Sequence, residues 1–460
     1  MTSVNYEDTI CAPATQGGGA IGIIRVSGPS AIDITDSIFQ HNGNTLKKAA
    51  QQTIHYGNIV DEDGAIVDEV LVSIFKAPHS YTGENCTEIS CHGSKYIINR
   101  ILELLIKKGC RQATPGEYTQ RAFMNGKMDL SQAEAVADLI ASTNKATHKM
   151  ALGQLKGNLS NELATLRNKL LNMTSMMELE LDFSDQDVTF ADREELMALA
   201  EEIKRKISSM LKSFATGRAI KQGIPVVIVG KTNVGKSTLL NKLLGEEKAI
   251  VSSIHGTTRD VIEDILDIKG ITFRFIDTAG IRDTDNEIEQ IGIERTMKKL
   301  DEATIVLWVI DEEPTDEELV YIKDMIYDKK FIIVKNKIDI SARSNYDIDL
   351  TTIPHSRAIS ISAKNGQNID LLENAIYEIA DIPEIQENSV IITNTRHYEA
   401  LLTAHECITN VIAGICQGLT ADLLSEDLRL CISHLGDIIG GSITSEECLH
   451  NVFQNFCIGK

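Results

Sequence analysis

The chain has 460 residues, of which 43% are hydrophobic and 24% are charged, a composition ordinary for soluble globular protein. Its formal net charge of -21 excludes a broad basic face that would hold nucleic acid alone, so RNA binding would need a local patch or a basic partner. The nine cysteines include no CxxC pair, and neither a signal peptide nor an apolar run of membrane length is present. We therefore expect a cytoplasmic protein without a membrane span.

The first segment, residues 1–120, predicts an α+β domain. AIGIIRVS (20–27) and EVLVSIF (69–75) have the composition of strands, and residues 99–107 form a short amphipathic helix pattern. Turn residues separate these elements.

Residues 121–216 form a second segment, whose pattern is helical. Ser131 and Glu134 have capping-box spacing before AVADLI. Two apolar stripes follow, with members three or four residues apart, and we expect them to pack in a helix bundle: Leu155, Leu159, Leu163, Leu166, Leu170, Met173 and Met177, then Leu196, Leu199, Ile203, Ile207 and Met210.

Strand and helix patterns alternate over residues 217–382, which is typical of a mostly parallel sheet wrapped by helices. The predicted strands are PVVIVG, VIEDILDI, ITFRFID, TIVLWVI, KFIIVKN and AISIS. Residues 383–460 are helical again, with Thr444 and Glu447 capping the last helix. The fold class is therefore an α/β domain inserted into an all-α helical domain, preceded by the α+β domain.

The strand PVVIV leads directly into GKTNVGKS, which a helix pattern follows. This is GxxxxGKS in the strand–loop–helix context of a phosphate-binding loop. Backbone N–H groups and the helix N-terminus attract phosphate, Lys236 reaches the terminal phosphates, and Ser237 ligates Mg²⁺. The predicted phosphate contacts are Asn233, Val234, Gly235, Lys236, Ser237 and Thr238.

Two further motifs follow predicted strands and complete a GTP site. Asp277, Thr278, Ala279 and Gly280 place a carboxylate and a small backbone beside the γ-phosphate. Asn336, Lys337 and Asp339 of NKID come later, and the carboxylate of Asp339 accepts the two adjacent donors of guanine, which adenine does not offer. Ser362, Ala363 and Lys364 would cover the base. GTTRD (256–260) is either a switch that ligates Mg²⁺ through Thr258 or an ordinary turn.

These motifs resemble the translation-factor class of GTPases, and the whole chain resembles the TrmE (MnmE) family of tRNA modification GTPases. The carrying segments are APATQGGGAIGIIRVSG, SYTGENCTEISCHGS, TPGEYTQRAFMNGKMDLSQAEAVADLI and the terminal FCIGK. The resemblance implies a folate-binding and dimerising domain at 1–120, a helical domain in two parts (121–216 and 383–460) and a GTPase domain at 217–382. It also implies a homodimer that works with tRNA and a flavin-dependent partner, GidA/MnmG, to add a carboxymethylaminomethyl-type group to wobble uridine.

The resemblance also assigns residues. Ile281 stands where other GTPases carry a water-orienting Gln, so the family's catalytic Glu falls on Glu289, which is otherwise one more acid in an acidic stretch. A K⁺ site falls on Asn233 with backbone groups of Ser252, Ile254 and Thr257, and K⁺ would stimulate hydrolysis. The contacts to a formyl-tetrahydrofolate-type cofactor fall on Arg25, Glu88, Lys127 and Lys460. The role of Cys457 stays open.

An alternative function remains. The chain could be a regulatory switch or ribosome assembly factor in which GTP only recruits a partner and residues 1–120 only dimerise. The FCIGK tail and TPGEYTQRAF favour the modification enzyme, and folate binding separates the two hypotheses.

Overall fold

The computed structural model describes residues 7–41, 45–182, 193–248, 264–276, 302–315, 318–320, 322, 329–340, 356–383, 386, 389–441, 456 and 459. The chain divides into two compact units. The first unit comprises Met1–Ala141, Gln154–Lys204 and Thr403–Lys460, and the second comprises Ser142–Gly153 and Arg205–Leu402. The predicted domain boundaries at 120, 216 and 382 stay predictions, because the compact units divide the chain at other positions.

The first unit contains a seven-stranded sheet in the order β3-β4-β5-β6-β2-β1-β7. Its strands are β1 (Ile10–Pro13), β2 (Ile21–Ser27), β3 (Phe39–Gln40), β4 (Thr53–Val60), β5 (Ile66–Phe75), β6 (Cys86–His92) and β7 (Arg111–Gln112). The central strands β4, β5, β6 and β2 are antiparallel to their neighbours. The predicted strands at 20–27 and 69–75 are confirmed, and the second begins three residues earlier.

Alternation of side chains gives this sheet two different faces. Helices α1 (Ala31–Ile38) and α2 (Lys95–Lys107) pack on one face, over a core that includes Ile24, Val72 and Ile89. The opposite face, here called the outer sheet face, keeps apolar side chains exposed: Ile21 (65%), Ile54 (66%), Tyr56 (66%) and Leu71 (45%).

Helix α3 (Glu117–Met124) carries a buried ionic network in this unit. Arg121 and Glu117 are fully buried and paired at 3.0 Å, and Arg111 donates to Glu117 at 2.5 Å and 3.0 Å. Arg121 also pairs with Asp8 and with Glu84. The network ties the first strand, the loop before β6 and α3 together, because each buried charge needs a partner.

Substitution of Glu117 tests this network. Burial raises the pKa of Glu117, but hydrogen bonds from Arg111 and the Thr114 N–H, with the charge of Arg121, bring it below its ordinary value of 4.5. Because the native pKa is lowered, the stabilisation by the Glu117 carboxylate is complete above the ordinary pKa of 4.5 and is lost as pH falls through the native pKa. We expect Glu117→Gln to destabilise the first unit by about 3–5 kcal/mol at pH 7, because Arg121 keeps a buried charge.

Thermal unfolding from pH 7 to pH 3, followed by circular dichroism, measures this effect. The difference between wild type and variant should shrink toward acid pH. Equal differences at both ends of the range would contradict the ionic account. Glu103→Gln, which removes an exposed carboxylate paired with Arg100 on α2, is the matched control.

Helices form the rest of the first unit. They are α4 (Leu130–Ala141), α5 (Lys145–Leu155), α6 (Asn158–Asp182), α7 (Arg193–Gln222), α10 (Thr395–Gln417) and α11 (Ala421–Ile439), where α5, α7 and α10 continue into the second unit. Most of both predicted stripes is confirmed as core, since Leu159 through Met177 are buried at the predicted spacing on α6 and Leu196, Ile203, Ile207 and Met210 are buried on α7. The stripes are wrong at two members: Leu155 is half-buried and ends α5, because a turn separates it from α6, and Leu199 is half-buried. Helix α6 packs on α11.

The predicted capping box at Ser131 and Glu134 is wrong. Helix α4 begins one residue before Ser131, so both side chains lie inside the helix and are buried. The cap is formed by Asp129 and Gln132, which exchange backbone-to-side-chain hydrogen bonds of 2.9 Å each way. The same three-residue spacing occurs two residues earlier, and Asp is as good an N-cap as Ser. The predicted Thr444–Glu447 cap lies outside the described residues.

The second unit contains a six-stranded sheet in the order β13-β12-β11-β8-β10-β9. Its strands are β8 (Ile224–Val229), β9 (Asp264–Ile268), β10 (Ile271–Phe275), β11 (Ile305–Ile310), β12 (Lys330–Lys335) and β13 (Ser356–Ser360). All pairs are parallel except β9 with β10. This confirms the mostly parallel sheet, although β13 begins two residues before the predicted AISIS, so Ser362 lies beyond the strand.

Helices α8 (Lys236–Lys248) and α9 (Ile369–Ala380) pack on this sheet. The start of α5 also belongs to this unit, which the sequence did not indicate. Ala146 is buried in the core of the sheet, its N–H donates to Gly270 O at 3.2 Å, and Asn144 Nδ2 donates to Thr272 Oγ1 at 2.6 Å. Because β8, β10, β11 and β12 run parallel, their carboxyl ends meet at one edge, where ligands bind in such sheets.

Candidate guanine-nucleotide and folate sites

The loop between β8 and α8 has the backbone that a phosphate-binding loop requires. Gly230 (φ 151°), Asn233 (φ 64°) and Gly235 (φ 98°) all have positive φ. Apart from glycine and asparagine, residues rarely adopt this backbone region. A Cβ at Gly235 would overlap Asn336 Nδ2. Val234 is buried, which anchors the loop just before the start of α8.

Lys236 is held within this loop. Its Nζ donates to Gly230 O at 2.8 Å and to Lys231 O at 2.6 Å, and burial lowers the pKa of this amine. Ser237 and Thr238 follow in the first turn of α8. Ser237 provides a hydroxyl oxygen, a hard ligand of the type that Mg²⁺ prefers. The donor set at the start of α8 therefore fits a magnesium-bound nucleoside phosphate.

Asn336 joins the three described loops of the site. It is 4% exposed, its Nδ2 donates to Val234 O at 2.8 Å, and its Oδ1 accepts from the Ala363 N–H at 3.0 Å. The side chain thus links the phosphate loop to the segment after β13. With one hydrogen bond at each end of its amide, Asn336 holds these loops in a fixed arrangement, while its predicted contact with the nucleotide stays a prediction.

Asp339 and Ser362 form a corner beyond the ends of β12 and β13, here called the Asp339 corner. Ser362 Oγ donates to Asp339 Oδ1 at 2.6 Å, and this hydrogen bond, together with the charge of Lys364, lowers the pKa of the Asp339 carboxyl. An ionised, oriented carboxylate can accept two adjacent donors, such as the imino and amino groups of guanine. Ala363 is buried and Lys364 is exposed beside it.

One contact in the site was missed from the sequence. Lys337 has φ 65°, and its Nζ pairs with Asp311 Oδ2 at 2.7 Å. Asp311 follows β11 directly, so its position after a buried strand at the same sheet edge was the available signal. The pair orients the loop that carries Asp339.

Several predicted residues lie outside the described residues. They are Ser252, Ile254, Thr257, Thr258, Asp277, Thr278, Ala279, Gly280, Glu289, Cys457 and Lys460. Strand β10 runs parallel beside β8 and ends at Phe275, so its carboxyl end lies at the same sheet edge as the phosphate loop.

A second polar cluster lies on the first unit, on the outer sheet face. Arg25 and Glu88 are paired neighbours on β2 and β6, and both Nε and Nη2 of Arg25 contact Glu88 Oε1 at 2.9 Å. Arg25 also donates to Gly459 O at 3.3 Å. The guanidinium therefore joins the sheet to the C-terminal tail.

Two tyrosines that the sequence analysis did not single out hold Arg25. Its guanidinium carbon lies 5.4 Å from the ring centroid of Tyr81 and 5.7 Å from that of Tyr118, and Tyr118 Oη donates to Arg25 O at 2.7 Å. Such cation–π contacts fix a guanidinium that would otherwise be mobile. Tyr118 belongs to the TPGEYTQRAF segment, which was noted only for its resemblance.

Lys127 is brought near this cluster but not into it. It is exposed, and its Nζ donates to Pro78 O at 3.0 Å in the loop that carries Tyr81. Arg25 and Glu88 are thus in direct contact, whereas the hydrogen bond of Lys127 is made to Pro78.

The phosphate loop, the Asp339 corner and the parallel sheet together define the second unit as a P-loop guanine nucleotide-binding fold. Family profiles match over both units: "GTP-binding protein TrmE N-terminus" over residues 9–127 and "MnmE helical domain" over residues 130–457. The chain belongs to the MnmE (TrmE) family of tRNA modification GTPases. This confirms the predicted fold class of a GTPase domain within a helical domain after an α+β domain.

Two proteins that carry the name tRNA modification GTPase MnmE match this chain over nearly its whole length. The tRNA modification GTPase MnmE of Bacteroides thetaiotaomicron is 54% identical over 99% of this chain and 100% of its own. The Cytophaga hutchinsonii protein of the same name is 48% identical over 100% of this chain and 99% of its own. A crystal structure of Era with MgGDPNP and a 16S ribosomal RNA segment matches 40% of this chain and 66% of its own at 30% identity, with a TM-score of 0.27. None of the helices in the described ranges has the length and hydropathy that a bilayer span requires.

Proposed function

We propose that this GTPase hydrolyses GTP in the cytoplasm to drive the addition of a carboxymethylaminomethyl-type group to the wobble uridine of certain tRNAs. It would do so with a flavin-dependent GidA/MnmG partner and a formyl-tetrahydrofolate-type cofactor. The observation that carries the proposal is the coexistence of a guanine-selecting corner on one unit and the Arg25–Glu88 cluster on the other. The formal charge of -21 favours a partner that supplies much of the tRNA contact.

GTP binding uses residues with separate tasks. Asp339 accepts the base, the loop N–H groups and Lys236 hold the phosphates, and Ser237 with Thr258 would hold Mg²⁺. Magnesium neutralises developing charge on the phosphates when bound. Glu289 is proposed to orient the attacking water through a second water, because Ile281 offers no polar atom.

Potassium stimulation is proposed through Asn233. Its side chain is exposed at a positive-φ position of the loop, and a K⁺ there would offset transition-state charge as an arginine does. We expect GTP hydrolysis to be about tenfold faster in KCl than in NaCl. Asn233→Gly keeps the left-handed backbone and deletes the amide, so it should remove this difference.

Single-turnover hydrolysis in matched salts measures this effect, with GDP affinity as the control for an intact site. Equal rates of wild type in the two salts would argue against a K⁺ site. A variant that keeps the full salt difference would argue against Asn233 as its ligand.

Folate binding is proposed at the Arg25–Glu88 cluster with Lys127 and Lys460. Arg25 Nε and Nη2 both contact Glu88 Oε1, so Glu88 Oε2 can accept hydrogen bonds from the ring N–H and amino groups of a pterin. The homodimer is proposed to form on the β4–β5 side of the outer sheet face, where Ile54, Tyr56 and Leu71 stay exposed.

Nucleoside analysis of tRNA tests the function as a whole. In a deletion strain, we expect the wobble modification to disappear, to return with the wild-type chain, and to stay absent with Asp339→Asn. An unchanged nucleoside profile in the deletion strain would leave only the alternative, a GTP-dependent switch or ribosome assembly factor.

A further inference from the structure

A continuous strip of side chains runs along β2 and β6 on the outer sheet face. Directly opposed residues are Arg25 with Glu88, Ile23 with Ser90, and Ile21 with His92. The strip therefore begins with an ion pair, continues over an aliphatic and hydroxyl pair, and ends at an imidazole. Ile21 is 65% exposed and the His92 side chain is 71% exposed.

The imidazole at the end of the strip is fixed by a buried carboxylate. His92 Nδ1 lies 2.8 Å from Asp68 Oδ1, and the His92 backbone N–H donates to Asp68 Oδ2 at 2.8 Å. The Asp68 side chain is only 8% exposed. With Nδ1 bonded to a carboxylate, Nε2 is the ring nitrogen that points outward for a ligand. Glu69, the nearest acid in sequence, receives a hydrogen bond from Tyr56 Oη at 2.9 Å.

The strip has the chemical order of a folate. A pterin presents adjacent donors, the aminobenzoyl spacer is flat and apolar, and the glutamate end carries carboxylates. His92 lies four residues along the strand from Glu88, a distance of about 13–14 Å at the usual rise. A heterocycle on Glu88 would thus lay its spacer over Ile23 and Ile21 and bring its carboxylate end to His92.

We propose that His92, oriented by Asp68, binds the glutamate carboxylate of the one-carbon folate. The inference rests on the folate binding proposed above and adds the residue that recognises the anionic end of the ligand. In the imidazolium form of His92, Nδ1–H donates to Asp68 and Nε2–H donates to the ligand carboxylate, and such a charge-assisted hydrogen bond is stronger than a neutral one. Asp68 acts as a positioning residue, because its contacts go to the ring and backbone of His92.

Calorimetry with the full-length protein and two ligands tests this assignment. The ligands are 5-formyltetrahydrofolate and 5-formyltetrahydropteroate, which lacks the glutamate. We expect His92→Leu to weaken the first about 10- to 100-fold and to leave the second unchanged. His92→Gln, which keeps a neutral donor, should lie between. His148→Leu, an exposed histidine of α5, is the matched control, and GDP affinity checks folding.

Each outcome decides a different question. Loss of affinity confined to the glutamate-bearing ligand supports the assignment. Equal weakening of both ligands, no weakening, or equal affinity of wild type for the two ligands overturns it while folate binding stands. If wild type binds neither ligand, the folate part of the proposed function falls, and the inference falls with it.

Discussion

Asp339→Asn should lower the affinity of the protein for GDP about 100- to 1,000-fold and raise its affinity for XDP. The carboxylate accepts two donors of guanine, and each charge-assisted hydrogen bond contributes about 1.5–3 kcal/mol. The amide replaces one acceptor with a donor, which matches the carbonyl that xanthine carries in place of the amino group. Ser362 Oγ, 2.6 Å from Asp339 Oδ1, would hold the amide with its oxygen toward the hydroxyl.

Fluorescent GDP and XDP titrations on the purified full chain measure the switch. Asp381→Asn is the matched control, since Asp381 is exposed in the same unit with φ 51°, a conformation that Asn also adopts. Unchanged GDP affinity in Asp339→Asn would show that the Asp339 corner does not select the nucleotide. Parallel loss of GDP and XDP binding would indicate collapse of the loop instead.

Gly235→Ala should abolish measurable nucleotide binding and destabilise the second unit by about 2–4 kcal/mol. The φ of 98° is strained for any residue with a Cβ, and the added atom would overlap the Asn336 amide. Asn336 has little freedom to move, because it is buried and bonded to Val234 and Ala363. Its displacement would leave buried polar groups without partners.

Differential scanning calorimetry with and without GDP separates this effect from global unfolding. The transition of the first unit should stay in place while that of the second unit falls and loses its GDP response. Gly245→Ala is the control for backbone strain alone, since Gly245 has φ 47° with no neighbour near its missing Cβ. Equal losses in the two variants would show that strain, rather than the Asn336 contact, sets the result.

Patterns of short period were enough to predict most of the fold. The strands predicted at 20–27 and at PVVIVG (225–230) lie within one residue of β2 and β8, and the stripe from Leu159 to Met177 is buried on α6 at the predicted steps of three and four. The error at Ser131 has a local cause: two overlapping capping-box spacings occur within six residues, and only packing decides which begins the helix. Burial of Ser131 and Glu134 selected Asp129.

Contacts between residues distant in sequence could not be predicted from local patterns. Ala146 entered the core of the second unit although it lies between helices of the first, and no feature of its neighbours in sequence marks that choice. Likewise, Tyr81 and Tyr118 meet at Arg25 only because the sheet brings β2 beside the loop before β6 and α3 beneath it.

By itself, the sequence determined that this chain binds guanine nucleotide, because the phosphate loop and NKID place their chemistry within a few consecutive residues. Tertiary structure decided how those loops are joined, through the two hydrogen bonds of Asn336, and which side chains surround Arg25. It also placed Asp68 of β5 against His92 of β6. The reason is physical: local spacing fixes the groups that one loop presents, whereas contacts between distant segments depend on strand order and register, which form only when the whole sheet packs.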